Sequence, residues 1–131
     1  GTAESTPTVG KTLSAEEILS LQNLVRRVPV SDDVFQYAKK LVRMTRPNTP
    51  EAVDITNQWL LRGAGPRASM NLILAAKARA ILKGQFHVTP DDVAAMATPV
   101  LRHRLVTNFA AQSENITSDV IVKRLIDKLG R

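Results

Sequence analysis

Apolar residues recur at helical spacing along most of the chain. Ser14-Ala15-Glu16-Glu17 is a capping box, in which the Ser14 hydroxyl and the Glu17 carboxylate satisfy each other's backbone amides. Ile18, Leu21, Val25 and Val28 follow as one stripe until Pro29 ends the run. Ser31-Asp32-Asp33 caps a second helix. Its inner face is Val34, Ala38, Leu41 and Val42, and Lys39, Lys40, Arg43 and Arg46 lie toward its C-terminal end, so both ends complement the helix dipole. Pro47 and Pro50 close it, and Thr49-Pro50-Glu51 opens a short third helix carrying Val53, Trp59 and Leu60.

Pro66 to Lys83 is the strongest helical segment, rich in Ala and Leu, free of internal Gly or Pro, and stopped by Gly84. Leu72, Ile73, Ala76, Ala80 and Ile81 form one face, widened by Leu74, Ala78 and Leu82, which predicts a central helix that neighbours approach closely over its alanines. An extended link through Phe86 and Val88 leads to Thr89-Pro90-Asp91-Asp92, where an N-cap, an N1 proline and two acids start a helix continued by Val93, Met96 and Ala97. Helix capping accounts for both acids without acid-base chemistry. Thr98-Pro99 repeats the device and predicts a new helix through Val100, Leu101 and Leu105. A polar loop from Gln112 to Asn115 precedes a last helix, capped by Thr117 or Ser118, with Val120, Ile121, Leu125, Ile126 and Leu129 inward. No run of alternating apolar and polar residues is long enough to argue for a sheet. The expected fold is all-α: a compact bundle of six or seven short helices over residues 13–131, with no significant sheet, after a flexible lead-in over residues 1–12.

Composition narrows the chemistry. The chain has 131 residues, 44% of them hydrophobic, enough for one compact domain and too apolar for a disordered one. It has no cysteine and two separated histidines, which excludes disulfides, a thiolate metal site and a cysteine nucleophile; no metal site is expected, and His87 and His103 read as surface or capping residues. Met44, Met70 and Met96 are scattered as core filling. Runs such as Val120-Ile121-Val122 fall far short of the roughly 20 apolar residues of a membrane span. The small, polar residues 1–10 do not read as a secretory signal. Gly10-Lys11-Thr12 imitates the end of a phosphate loop, but Ser5 stands where the first glycine belongs and no apolar strand precedes it.

The net charge of +6 is concentrated: between Arg62 and Arg104 seven basic residues stand against Asp91 and Asp92. That points to an anionic partner or a solvated basic face. Within this stretch Gly63-Ala64-Gly65-Pro66-Arg67-Ala68-Ser69 brings a glycine-rich turn to a helix start, where unpaired amides suit a phosphate. Arg67 is a cation at the end of the dipole that disfavours cations, a placement that an anion shared with the helix end would explain and an ordinary exposed arginine would not require. Arg102-His103-Arg104 is the other basic concentration, a candidate contact surface or a solvated face.

Gly-Ala-Gly-Pro-Arg-Ala-Ser at 63–69, Lys-Ala-Arg-Ala at 77–80, Val-Thr-Pro-Asp-Asp-Val at 88–93 and Pro-Val-Leu-Arg-His-Arg at 99–104 together resemble the C-terminal helical lid of MoxR-type AAA+ ATPases, over roughly residues 13–110. The resemblance implies a chaperone-like, ATP-hydrolysing parent protein, cytoplasmic and ring-forming, as a hexamer, whose nucleotide-binding core precedes this segment. It implies that Arg67 is the sensor 2 residue, contacting the ATP γ-phosphate and coupling nucleotide state to lid orientation, with Gly63, Gly65, Pro66 and Ala68 forming the turn at the nucleotide. ATP and Mg2+ would be cofactors of the parent, with the metal held by the core. Without Walker A and Walker B motifs this segment supplies one catalytic part and does not hydrolyse ATP alone. The implied partners are the AAA+ core, neighbouring protomers of the ring, and client or von Willebrand factor A domain proteins; Arg102, His103 and Arg104, on a short helix with Leu101 and Leu105 inward, are the candidate contact with the core or a neighbouring protomer. The stretch from Pro47 to Leu61 departs from the commonest form of the lid as an insertion. The alternatives are a helical nucleic-acid-binding module, motivated by the +6 charge but poor in stacking aromatics, and a protein-interaction scaffold.

Overall fold

The computed structural model of the protein describes residues 14–130. The lead-in and the Gly10-Lys11-Thr12 imitation lie outside the described residues. Seven helices follow in order: α1 (Ala15–Arg27), α2 (Asp32–Met44), α3 (Asp54–Trp59), α4 (Ala68–Leu82), α5 (Pro90–Leu101), α6 (Phe109–Ser113) and α7 (Ser118–Leu129). Two short antiparallel strands, β1 (Leu60–Arg62) and β2 (Val106–Thr107), pair Leu60 with Thr107 and Arg62 with Val106. No helix among the described residues is long and apolar enough to cross a membrane.

Local chemistry sets most boundaries. Ser14 and Glu17 form the reciprocal capping box, and Ser31 and Thr117 accept from the third amide of their helices. Gly84, at φ +76°, ends α4 in a left-handed conformation that a side chain disfavours. Helix α4 is central: Ala68, Leu72, Ile73, Ala76 and Ala80 are buried, and α1, α2 and α5 pack around it. Its apolar circumference is narrower than its composition predicts, because Leu82 is 78% and Met70 51% exposed. Met70 is therefore not core filling, whereas Met44 is buried.

Three boundaries differ from expectation. The third helix does not open at Thr49-Pro50-Glu51, which forms a turn; α3 begins at Asp54 behind Val53, and Leu60 belongs to β1 because it pairs with Thr107. Thr98-Pro99 does not begin a new helix, and α5 runs through Pro99 to Leu101. Val93, Ala97 and Leu101 form a buried stripe that a break at Pro99 would misalign. The ring of Pro99 sits on the exposed side near the helix end, where one lost backbone bond is tolerated. The additional helix is α6, which overlaps the expected polar loop; Asn108 caps it by accepting from the Ala111 amide at 2.9 Å, and Ala111 is buried.

The stretch from Pro47 to Leu61 is bonded into the bundle. The Thr56 hydroxyl donates to the Met44 carbonyl at 2.6 Å, Asn108 donates through its side chain to Gln58 O and through its amide to Trp59 O, and Trp59 is buried. Trp59 anchors the segment, and the segment sets β1 beside β2.

Asp92 ties α4 to α5. It is fully buried, closes the cap by accepting from the Thr89 amide at 2.9 Å, and accepts from Arg79 Nη1 and Lys83 Nζ near the end of α4. Burial pushes its carboxyl pKa up, but the Thr89 amide, the Arg79 guanidinium, the Thr89 hydroxyl and the Lys83 charge together hold it below the ordinary value. A carboxyl whose pKa is lower folded than unfolded contributes stability above the unfolded value and loses it as pH falls through the folded one. Asp92→Asn is expected to lower the unfolding free energy by about 2 kcal/mol at neutral pH, with the gap to wild type closing as the solution is acidified below the ordinary aspartate range. Urea melts across that pH window read this directly, and a difference that stays constant with pH rules out the charge as the source.

Candidate functional site

The Gly63–Ser69 turn is held from one side by the end of α2. The Ala64 amide donates to Thr45 Oγ1 at 3.0 Å, Thr45 Oγ1 donates to the Val42 carbonyl, and Arg46 Nε donates to the Ala64 carbonyl at 2.9 Å. Thr45 and Ala64 are buried. Gly63 lies so near that a Cβ built on it would stand 2.2 Å from the Thr45 carbonyl oxygen. Glycine is required there for close backbone approach and not for an unusual φ, since the positive-φ glycines among the described residues are Gly84 and Gly130. A Cβ on Gly65 meets nothing within 4 Å.

From this anchored turn the chain enters α4 through Pro66 and Arg67. Arg67 occupies the N-cap position at φ −82° and ψ −9°, and no side chain caps the helix. That contrasts with α1, α2, α5, α6 and α7, whose caps are Ser14, Ser31, Thr89, Asn108 and Thr117. The longest helix of the bundle thus presents an open positive end. Arg67 is exposed and its guanidinium forms no hydrogen bond or ion pair with the described residues.

The expected site residues share one cleft. Gly63, Gly65, Pro66, Arg67 and Ala68 line an open depression of about 540 Å³ together with Arg62 and Arg104. Arg62 arrives because it pairs with Val106 across the small sheet, two residues beyond Arg104. Arg104 donates from Nη1 to the Val100 carbonyl at 2.7 Å, leaving the rest of its fork without a carboxylate among the described residues. The three residues of Arg102-His103-Arg104 have different surroundings. Arg102 is bound to Asp119 through Nε at 2.9 Å and Nη2 at 3.0 Å, an exposed pair that raises the arginine pKa and lowers that of the aspartate. His103 is exposed, as is His87 in the connector before α5. Among the described residues no three His, Asp or Glu side chains gather as a metal site.

Arg79 and Lys83 are taken by Asp92, and Arg102 by Asp119. What is left of the basic middle is largely the cleft. Thr45, Arg46 and Arg62 belong to this site and are not marked by any motif. Thr45 lies 19 residues from the amide it binds, and the only local trace is a glycine at 63 whose need for closeness has no local cause.

The AAA lid domain family model matches residues 54–125. The chain is 31% identical to Chaperone MoxR1 of Mycobacterium tuberculosis over 120 residues, 92% of this chain and 32% of that protein. It is 29% identical to YeaC of Bacillus subtilis, a protein described as uncharacterized, over 91% of this chain and 34% of the relative. A crystal structure of a candidate ATPase from Cytophaga hutchinsonii superposes with a TM-score of 0.80 at 29% identity, covering 88% of this chain and 35% of that one. The chain thus spans about a third of the length of the curated relatives it matches.

The two glycines of the turn should respond differently to a methyl group. Gly63→Ala is expected to cost about 1–3 kcal/mol by driving the turn off Thr45, while Gly65→Ala changes stability by less than about 1 kcal/mol. Thermal unfolding of the two variants separates the cases, and equal tolerance at both positions is incompatible with the close fit at Thr45.

Proposed function

This chain belongs to the AAA lid domain family, and from that membership we propose that it is the sensor lid of a MoxR-type AAA+ ATPase, with Arg67 as the residue that meets nucleotide. The observation that carries the reading is the exposed, unpaired Arg67 on a turn bolted to α2 and opening the uncapped α4. An ATP phosphate chain suits that setting, because three arginines border the cleft and none of the described residues that line it is acidic.

In this role the chain binds and orients. ATP supplies the transferred phosphoryl group. The Arg67 guanidinium, a planar fork carried on a backbone held by the turn, stabilises negative charge on the terminal phosphate oxygens as it develops. Because the turn is tied to both α2 and α4, Arg67 moves only with the bundle. Engagement of one side chain therefore reorients the whole lid, which is a physical route from nucleotide state to domain position. The described residues gather no metal set, so Mg2+ in this reading is held by the ATPase core. Contacts with ring neighbours, and chaperone-like action on client complexes with von Willebrand factor A domain proteins, enter the proposal through the MoxR kinship alone.

Single-turnover ATP hydrolysis and nucleotide affinity in the ATPase that carries this lid test the assignment. Arg67→Ala is expected to slow hydrolysis about tenfold to a hundredfold, the worth of one charge-assisted contact, while the melting temperature stays within a few degrees of wild type. Unchanged rate and affinity in a folded variant would remove Arg67 from the reaction.

A further inference from the structure

The cleft contains two more arginines than the sensor role requires. Arg62 and Arg104 stand on its wall beside Arg67, all three exposed, and none of the described residues that line it is acidic. Gathering like charges costs free energy on folding, and at several places in this bundle the cost is offset by pairing: Arg79 and Lys83 with Asp92, Arg102 with Asp119, Arg43 with Glu51. The three cleft arginines have no such carboxylate among the described residues. Their meeting is also structurally deliberate, since it depends on the small sheet, whose register sets Arg62 opposite Val106, and on the anchoring of β1 through Trp59 and Asn108. Arg104 is further fixed by its bond to the Val100 carbonyl, which holds the guanidinium while leaving donors for a ligand.

We propose that Arg62 and Arg104 form with Arg67 one phosphate-binding cleft, a three-arginine clamp for the polyphosphate chain of the nucleotide. The proposal rests on the sensor reading for the identity of the nucleotide, and on the cleft alone for the chemistry of its ligand. A polyphosphate matches the wall better than a single carboxylate does, because it carries several negative charges along a chain and offers oxygens to more than one planar fork. Arg62 and Arg104 act as binding residues, and Arg67 alone needs to reach the reacting phosphate.

The test has two arms. In the first, the 131-residue chain is titrated with inorganic tripolyphosphate at low salt, following the arginine side-chain resonances by NMR. Arg62→Gln and Arg104→Gln are each expected to weaken binding about tenfold, Arg104→Lys to recover part of the loss, and Lys128→Gln, the same charge change in a separate depression beside Lys40 and Pro50, to leave affinity near wild type. Equal weakening by Lys128→Gln, or no binding by the wild-type chain, overturns the clamp by reducing it to diffuse electrostatics. In the second arm, Arg62→Gln and Arg104→Gln in the ATPase are expected to raise the Kd for ATP about tenfold with a smaller change in the single-turnover rate, the reverse of the Arg67→Ala pattern. If Arg67→Ala slows hydrolysis and the other two variants bind tripolyphosphate and ATP normally, the clamp fails and the sensor reading stands. If all three variants lose tripolyphosphate while hydrolysis is unchanged, the phosphate site stands and the sensor reading fails.

Discussion

At the end of α2 the backbone of Gly63 runs so close to the Thr45 carbonyl that no side chain fits between them, and the placement of the Gly63–Ser69 turn and of Arg67 upon it follows from that approach. Thr45 is buried and uses its hydroxyl twice, accepting from Ala64 and donating to Val42. Arg46 completes the attachment at the Ala64 carbonyl. A turn rich in small residues would otherwise be among the more mobile parts of a helical protein. Here it is a fixed corner, and the residue after it, Pro66, leads the chain into α4 at one defined angle. Arg67 is consequently displayed on a rigid base.

A second constraint holds the other end of α4. The buried Asp92 accepts from the cap of α5 and from Arg79 and Lys83, so the central helix is attached at its start to α2 and at its end to α5. Buried carboxylates are tolerated only when their lone pairs are satisfied by charged and backbone donors, and Asp92 meets that condition. In the proposed sensor role, a central helix tied at both ends would carry a displacement of Arg67 into the bundle instead of absorbing it in a loop.

The distribution of charge changes meaning between the linear chain and the fold. Seven basic residues between Arg62 and Arg104 look like a broad basic surface, yet ion pairing removes Arg79, Lys83 and Arg102 from it. Of the four that remain, Lys77 lines a separate depression with residues of α1 and α2, while Arg62, Arg67 and Arg104 line one cleft and have no carboxylate partner among the described residues. The functional signal therefore lies in the place where compensation is missing, and it is smaller and sharper than the sum of charges implies.

By itself the sequence determined whatever depends on neighbours within one helical turn. The capping boxes, the stop at Gly84, the stripes of α2 and α7, the all-α class and the Gly63–Ser69 turn are all set by spacings of three or four residues, and those contacts exist in any chain that forms the helix. Only the tertiary structure decided that α5 continues through Pro99, because a distant core had to outweigh a local helix breaker. It decided that Asp92 is a buried link as well as a cap, because Arg79 and Lys83 reach it from another helix. It also decided that Gly63 serves closeness to Thr45, and that Arg62 and Arg104 stand beside Arg67. Such meetings join segments far apart in the chain, and their free energy comes from burying Trp59, Ala64 and the helix faces together, a sum that no local pattern of residues contains.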